Sequence, residues 1–171
     1  MLAKILILSL LVSSMFAKSI EVVPAKIDFK NNMEVDIVEE IYMMIHNGIS
    51  SYNSEQDEAH KLISVKESFL PIRKYKKKIN NYYAKNKSSY KQKYMQDNKL
   101  DYVVEYRVRR KDIKALNKCK RHCKVDIQVF MFKRNSAFSK DKLTLYFDTS
   151  VSSLTDDSYT QVDQYIISKL N

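Results

Sequence analysis

The segment from Asp101 to Arg109, DYVVEYRVR, alternates between two kinds of side chain with a clear period of two. One side carries Tyr102, Val104, Tyr106 and Val108, and the other side carries Val103, Glu105, Arg107 and Arg109. This period is typical of a strand that is buried on one side. The segment therefore predicts a sheet, and the rest of the chain has to supply the layer that covers it.

Two later segments repeat the same period. Residues Lys124 to Lys133 place Val125, Ile127, Val129 and Met131 on one side, and residues Lys142 to Thr149 place Leu143, Leu145 and Phe147 on one side. Together with the first segment they predict a three-stranded meander, covered by helices and further strands from upstream.

The first 17 residues resemble a secretory signal peptide. Lys4 precedes an apolar run from Ile5 to Val12, and small residues lead to Ala17. We expect cleavage after Ala17, which leaves one domain over residues 18–171. The apolar run is too short to span a bilayer, so no transmembrane segment is expected in the mature chain. An uncleaved anchor or a buried first strand is the alternative.

Apolar residues at helical spacing predict a helix that begins after Asn31 or Asn32. The single glycine of the chain, Gly48, follows Asn47, where a C-terminal cap belongs. The sequence therefore predicts that this helix ends at Gly48.

The remaining elements complete the predicted order. A first strand runs through Ile20, Val22, Ile27 and Phe29 and is interrupted at Pro24. A short strand covers 62–65, a basic helix follows Pro71, and a closing helix starts near Thr155. The order is strand, helix, strand, helix, three strands, helix. It predicts an α/β fold of the α+β sandwich type, with a mixed sheet of about five strands.

The C-terminal 70 or so residues carry a family resemblance. The segments LDYVVEYRV, VDIQVFMF, KLTLYFDTS and SYTQVDQYIISKLN resemble the second half of the TolB N-terminal domain, with relatives in the FlgO, CsgG and LpoB groups. Glu105 stands where those strands often carry glycine. The resemblance implies this fold, a setting in the bacterial cell envelope, and an accessory or assembly role without an active site. With the signal peptide, it predicts a periplasmic location.

Positive charge is concentrated in one interval. No acidic residue occurs between Glu67 and Asp97, while nine lysines and arginines do, against a net charge of +10 for the whole chain. We predict a binding surface on the basic helix. It comprises Arg73, Lys74, Lys76, Lys77, Lys78, Tyr82, Tyr83, Lys85 and Lys87. Lysines of the 110–123 insert could extend it.

The chemistry of this surface leaves several partners open. Lysine and tyrosine together can bind phosphates and stack on bases, so a polyanion such as nucleic acid or anionic lipid is one alternative. Export disfavours nucleic acid and favours an envelope protein, peptidoglycan or another anionic surface. An ordinary solvated helix in a lysine-rich protein would give the same pattern.

Cys119 and Cys123 enclose three residues in the insert. In an exported protein this spacing predicts a structural disulfide. Reactive thiols of a thiol-dependent enzyme are an alternative. A metal site would need more ligands than these cysteines and His122 supply.

The sequence contains no recognisable nucleophile and base arrangement and no glycine-rich nucleotide loop. We therefore assign no catalytic residue, no metal site and no cofactor, and we expect a protein that is not an enzyme.

Overall fold

The computed structural model describes residues 18–24, 32–58, 62–66, 77–78, 80–81, 84–85, 89–108, 111, 115–116, 118–136 and 138–171. Its strands are β1 (Lys18–Pro24), β2 (Ile63–Val65), β3 (Tyr102–Val108), β4 (His122–Lys133), β5 (Ser139–Asp148) and β6 (Ser153–Leu154). Its helices are α1 (Asn32–Ser54), α2 (Tyr90–Asp97) and α3 (Asp156–Leu170). The described residues between 77 and 85 are also helical. The predicted signal peptide lies outside these ranges.

The strands form one mixed sheet in the order β2-β1-β3-β4-β5-β6. β1 is parallel to both β2 and β3, and the β3–β4–β5–β6 pairs are antiparallel. The predicted fold class and the meander are confirmed. The sheet has six strands rather than about five, because β6 is a two-residue strand that carries no periodicity of its own.

The main core lies between one side of the sheet and the helices α1 and α3. It includes the predicted inward residues of β3 and β4, all at most 5% exposed. Tyr106 is completely buried, and its hydroxyl donates to the Val38 carbonyl oxygen of α1 at 2.8 Å. Burial raises the pKa of Tyr106, since the charged phenolate would lose its water. This hydrogen bond fixes α1 over the centre of the sheet.

α2 covers part of the opposite side of the sheet. Tyr94, Met95 and Leu100 pack on Val23 and Val103 in a second, smaller core. Tyr90 and Tyr94 therefore belong to a separate helix that packs its own side chains against the sheet. None of the helices in the described ranges is both long and apolar enough to cross a membrane.

The predicted end of α1 at Gly48 is wrong. α1 continues through Gly48 to Ser54, and the glycine lies where α3 approaches most closely. A Cβ atom built on Gly48 would be 3.1 Å from both Asp163 Oδ1 and Ile166 Cβ. The residue thus serves a tight helix crossing rather than a helix end.

Candidate functional site

The structure describes three residues of the predicted basic surface. Lys77 and Lys85 are exposed, and Lys78 is half-buried. The other predicted members lie outside the described residues: Arg73, Lys74, Lys76, Tyr82, Tyr83 and Lys87.

Lys78 has a structural role. Its Nζ lies 4.9 Å from the centre of the Tyr94 ring and donates to Asn98 Oδ1 at 2.9 Å. An ammonium over an aromatic face is attracted by the ring quadrupole. Lys78 therefore joins the 77–85 helical segment to α2 and its C-terminal turn, and it is less available to a partner than Lys77 or Lys85.

Two further lysines of the interval without acidic residues are paired in space. Lys91 is 8% exposed and forms an ion pair with Glu105 on β3, with its Nζ 4.6 Å from the Phe132 ring centre. Lys93 pairs with Asp97 at 2.9 Å. The interval is therefore less electropositive than its sequence suggests. Glu105 supplies the counter-charge that allows Lys91 to be buried.

A second basic surface lies on the side of the sheet opposite α1 and α3. We name it the basic sheet face, and it comprises Arg107, Lys124, Phe130, Lys140, Lys142 and Tyr146. Their side chains share a side because strand residues alternate and the register aligns these positions across β3, β4 and β5. Arg107, Gln128 and Lys142 form one row across the three strands.

Aromatic rings support the lysines of this face. Lys124 Nζ lies 6.0 Å from the Tyr146 ring centre, and Lys140 Nζ lies 5.7 Å from the Phe130 ring centre. Tyr146 is 40% exposed. These positions present cationic and aromatic groups to a partner at the same time, which suits charged and planar groups.

A carboxylate lies between the cations of this face. Asp126 Oδ2 is 2.7 Å from Lys142 Nζ, and Asp126 Oδ1 accepts from the Thr144 hydroxyl at 2.8 Å. Asp126 thus compensates one of the four cations. Arg107, Lys124 and Lys140 remain as exposed positive charge.

The helices on the other side have the opposite charge. The α1 sequence contains Glu34, Asp36, Glu39 and Glu40 and no lysine or arginine. The α3 sequence contains three aspartates against Lys169. The two sides of the sheet therefore differ in charge, with an acidic helical layer on one side and the basic sheet face on the other. Sequence reasoning missed this face because its cations are dispersed over three strands. The outward-facing alternate residues of each strand were the feature of the sequence from which it could have been found.

The predicted disulfide residues lie side by side. The Cα atoms of Cys119 and Cys123 are 6.2 Å apart, within the range that a disulfide spans. The Cys119 N–H donates to the Leu116 carbonyl oxygen at 3.0 Å, and Leu116 is buried in the main core. The insert is therefore anchored next to the pair. The geometry is compatible with a disulfide, and its formation remains a prediction.

His122 points to a different neighbour. Its Nδ1 lies 3.5 Å from Asp148 Oδ2 across the β4–β5 pair. No group of three or more potential metal ligands occurs among the described residues.

A polar cleft of about 380 Å³ lies between α2 and the β4–β5 turn. It is lined by Ser89, Gln92, Lys93, Gln96, Arg134 and Asn135. Its cations are engaged by carboxylates of the protein, Lys93 by Asp97 and Arg134 by Asp101. The Gln92 amide bonds to the turn at three points, among them the Asn135 N–H at 3.0 Å. These contacts hold the turn against α2, so the basic sheet face is the stronger candidate site.

The chain matches no protein-family model, and no curated protein shows significant similarity to it.

Proposed function

We propose that this protein is an exported, non-enzymatic adaptor of the cell envelope, related to the TolB N-terminal domain, that binds an acidic protein or cell-wall partner. The separation of charge between the acidic helical layer and the basic sheet face carries this proposal. The predicted basic helix, held to α2 through Lys78, adds Lys77 and Lys85 to the positive charge. The meander and closing helix on which the TolB resemblance rests support the envelope setting.

Charge separation of this kind favours one orientation of approach. An acidic partner is attracted by the sheet face and repelled by the helical layer, so association becomes faster and the complex has a defined orientation. Because the cations are exposed, binding should weaken as ionic strength rises.

A photo-crosslinking amino acid tests this surface in cells. Placed at Tyr146 on the basic sheet face, it should give a specific adduct with an envelope component, whereas placement at Gln161 on the exposed side of α3 should not. The double change Arg107→Gln and Lys124→Gln should reduce the Tyr146 adduct at least fivefold.

A matched variant separates location from net charge. Gln161→Glu with Gln164→Glu also lowers the net charge by two, but on the helical layer, where both residues are exposed. This variant should retain the adduct. An equal loss in both double variants, or equal adducts from both crosslinker positions, would contradict the proposal.

The export step has its own measurement. Intact mass of the protein recovered from the periplasmic fraction should correspond to residues 18–171. Recovery of the uncleaved chain in the cytoplasm would contradict the assigned location.

Binding of a polyanion such as single-stranded nucleic acid is the second candidate. The exposed Tyr146 ring beside Lys124 is the observation that favours it, since stacking and phosphate pairing occur together in such sites. A fluorescent oligothymidylate should then bind with an affinity that falls steeply with salt. Absence of binding at low salt would remove this candidate.

A further inference from the structure

A sheet exposes backbone hydrogen-bonding groups at its two edges unless the protein covers them. Here the edges are β2 on one side and the outer side of β5 on the other, where β6 pairs with the last two residues, Phe147 and Asp148. The protein's own residues cover these two edges to different extents.

The β2 edge is closed by a side chain of α1. Asn53 Oδ1 accepts from the Ile63 N–H at 2.8 Å, and Asn53 Nδ2 donates to the Ile63 carbonyl oxygen at 2.8 Å. The amide thereby makes the two hydrogen bonds that a neighbouring strand would make. Since β2 has three residues, this cap leaves little edge for pairing.

The C-terminal part of β5 is closed as well. The Tyr146 N–H donates to Ser158 Oγ at 2.7 Å, and the Tyr146 carbonyl oxygen accepts from the Thr155 N–H at 2.8 Å. These partners lie beyond β5 on the side away from β4. The backbone groups of Tyr146 therefore point outward from the sheet.

Because the backbone N–H and C=O groups of Tyr146 point away from β4, those of every second residue before it point away from β4 as well. In an antiparallel pair, successive residues direct their backbone groups to opposite neighbours, so Lys140, Lys142 and Thr144 also direct N–H and C=O outward. Within the part of the chain that the structure describes, no hydrogen bond reaches these six groups. They span about 14 Å of extended chain at 3.4 Å per residue.

The side chains at this edge define the strand that would fit it. Lys140 and Lys142 are exposed on the basic sheet face. On the other side of β5, Asp141 is held by Tyr165 and Lys169, and Leu143 is half-buried against the main core. A second copy of β5 centred on Lys142 would place lysine against lysine, which is unfavourable. The complementary strand has acidic residues opposite the lysines and apolar residues between them.

We propose that an extended acidic segment of a partner protein adds to the sheet as a strand antiparallel to β5, pairing with Lys140, Lys142 and Thr144. This inference rests on the proposed function, since it specifies how the acidic partner is bound. Backbone hydrogen bonds supply affinity. Lys140 selects an acidic side chain opposite it, and Lys142 does so in competition with Asp126.

The test uses a capped eight-residue peptide that alternates glutamate and valine. In the proposed complex, the glutamates of the peptide lie opposite Lys140 and Lys142. A glutamate in that position has its side chain on the same side of the sheet as the lysine, and its backbone N–H and C=O groups point to β5. N-methylation of the glutamate amides should therefore reduce binding at least tenfold, whereas N-methylation of the valine amides, which face away, should have an effect of less than threefold. Equal effects of the two modifications would overturn strand addition.

Variants of the protein provide the second arm. Lys142→Pro removes one outward N–H, and proline is tolerated at a strand edge, so it should weaken binding at least tenfold relative to Lys142→Ala. Should Lys142→Pro fail to fold, hydrogen exchange on the wild-type protein decides instead: the amides of Lys140, Lys142 and Thr144 should become protected when the peptide is added. Unchanged exchange at saturating peptide would overturn the proposal.

These outcomes separate the two proposals. Binding of the peptide that is lost in Arg107→Gln/Lys124→Gln but does not protect the β5 amides would retain the basic sheet face and reject strand addition. If the peptide protects the β5 amides and still binds Arg107→Gln/Lys124→Gln as tightly as the wild type, strand addition is supported and the basic sheet face is rejected as the adaptor surface. Absence of peptide binding up to millimolar concentration would overturn strand addition, and the crosslinking result would then decide the proposed function.

Discussion

The phenol oxygen of Tyr94 lies 2.7 Å from Oε2 of Glu21, and both side chains are at most 1% exposed. The two residues are 73 positions apart in sequence and belong to α2 and β1. Their hydrogen bond ties α2 to the side of the sheet that α1 and α3 leave open. It also places a buried carboxyl in an otherwise apolar contact, which requires partners for its oxygens.

Tyr94→Phe should lower the free energy of unfolding by about 1–3 kcal/mol, because it removes a hydrogen bond to a buried polar group without changing the ring. Urea unfolding measures the change. Tyr146→Phe, at the 40% exposed Tyr146, is the matched control and should change stability by less than about 0.5 kcal/mol. Equal effects of the two variants would show that the Glu21 contact does not stabilise the fold.

Lys78→Met should destabilise the protein by roughly 0.5–2 kcal/mol, because it removes the cation above the Tyr94 ring and the bond to Asn98. Lys77→Met alters the neighbouring exposed residue and should be nearly neutral. The comparison is again made by urea unfolding. Larger destabilisation by Lys77→Met would contradict the structural role of Lys78.

Gly48→Ala should destabilise the protein by roughly 1 kcal/mol. Alanine improves helix propensity by about 1 kcal/mol, but the added methyl group meets Ile166 Cβ at 3.1 Å, and overpacking typically costs about 1–3 kcal/mol. Thermal unfolding should show a fall of about 2–4 °C for each kcal/mol lost. Ser50→Ala, at an exposed position of α1, controls for propensity. A rise in Tm for Gly48→Ala would mean that α1 and α3 do not approach closely.

Asp141 should contribute to acid sensitivity. Partial burial raises the pKa of Asp141, but hydrogen bonds from Tyr165 and Lys169 and the positive charge of Lys169 lower it below the ordinary 3.8. Because the unfolded chain then takes up the proton first as pH falls, the stabilisation is present above about pH 4 and is lost below 3.8. Asp141→Asn should flatten the dependence of unfolding free energy on pH in this window.

Tyr165→Phe provides a converging test, since it removes one of the hydrogen bonds that lower the pKa of Asp141. It should flatten the same curve partly. Unfolding measured from pH 5 to pH 2.5 compares the three proteins, and parallel curves would contradict the assignment.

In the exported protein, Cys119 and Cys123 should resist alkylation until the predicted disulfide between them is reduced. In the chain-entropy estimate, so small a loop contributes about 2 kcal/mol, so reduction should lower the unfolding free energy by that order. The Cys119→Ser/Cys123→Ser double variant should not respond to reductant. Alkylation of both cysteines without prior reduction would contradict the disulfide.

The strand predictions succeeded where one side of a strand meets helices. Val104, Tyr106, Ile127 and Val129 alternate with polar residues because every second side chain enters the main core. β5 begins at Ser139, before the predicted Lys142, because its first residues, SKDK, lie at an edge and bury little surface. Edge positions carry weak periodicity, so their bounds are set by pairing with β4 rather than by composition.

The binding surface was also predictable only in part from the sequence. The density of lysine between Glu67 and Asp97 predicted a binding surface there, but Lys78 and Lys91 contact Tyr94 and Glu105, which belong to other elements of the fold. The basic sheet face is assembled from three strands and has no local density of charge. A count along the chain therefore could not find it.

By itself, the sequence determined which side of each long strand is buried and that the strands form a covered mixed sheet, because side-chain alternation and hydrophobicity are local properties. Only the tertiary structure decided that Gly48 serves a helix crossing and which lysines are neutralised. It also decided that Asn53 closes the edge of β2, whereas no described residue pairs with the outward backbone groups of Lys140, Lys142 and Thr144 on β5. Each of these depends on contacts between different helices and strands, and no pattern within a single element encodes how closely two elements approach.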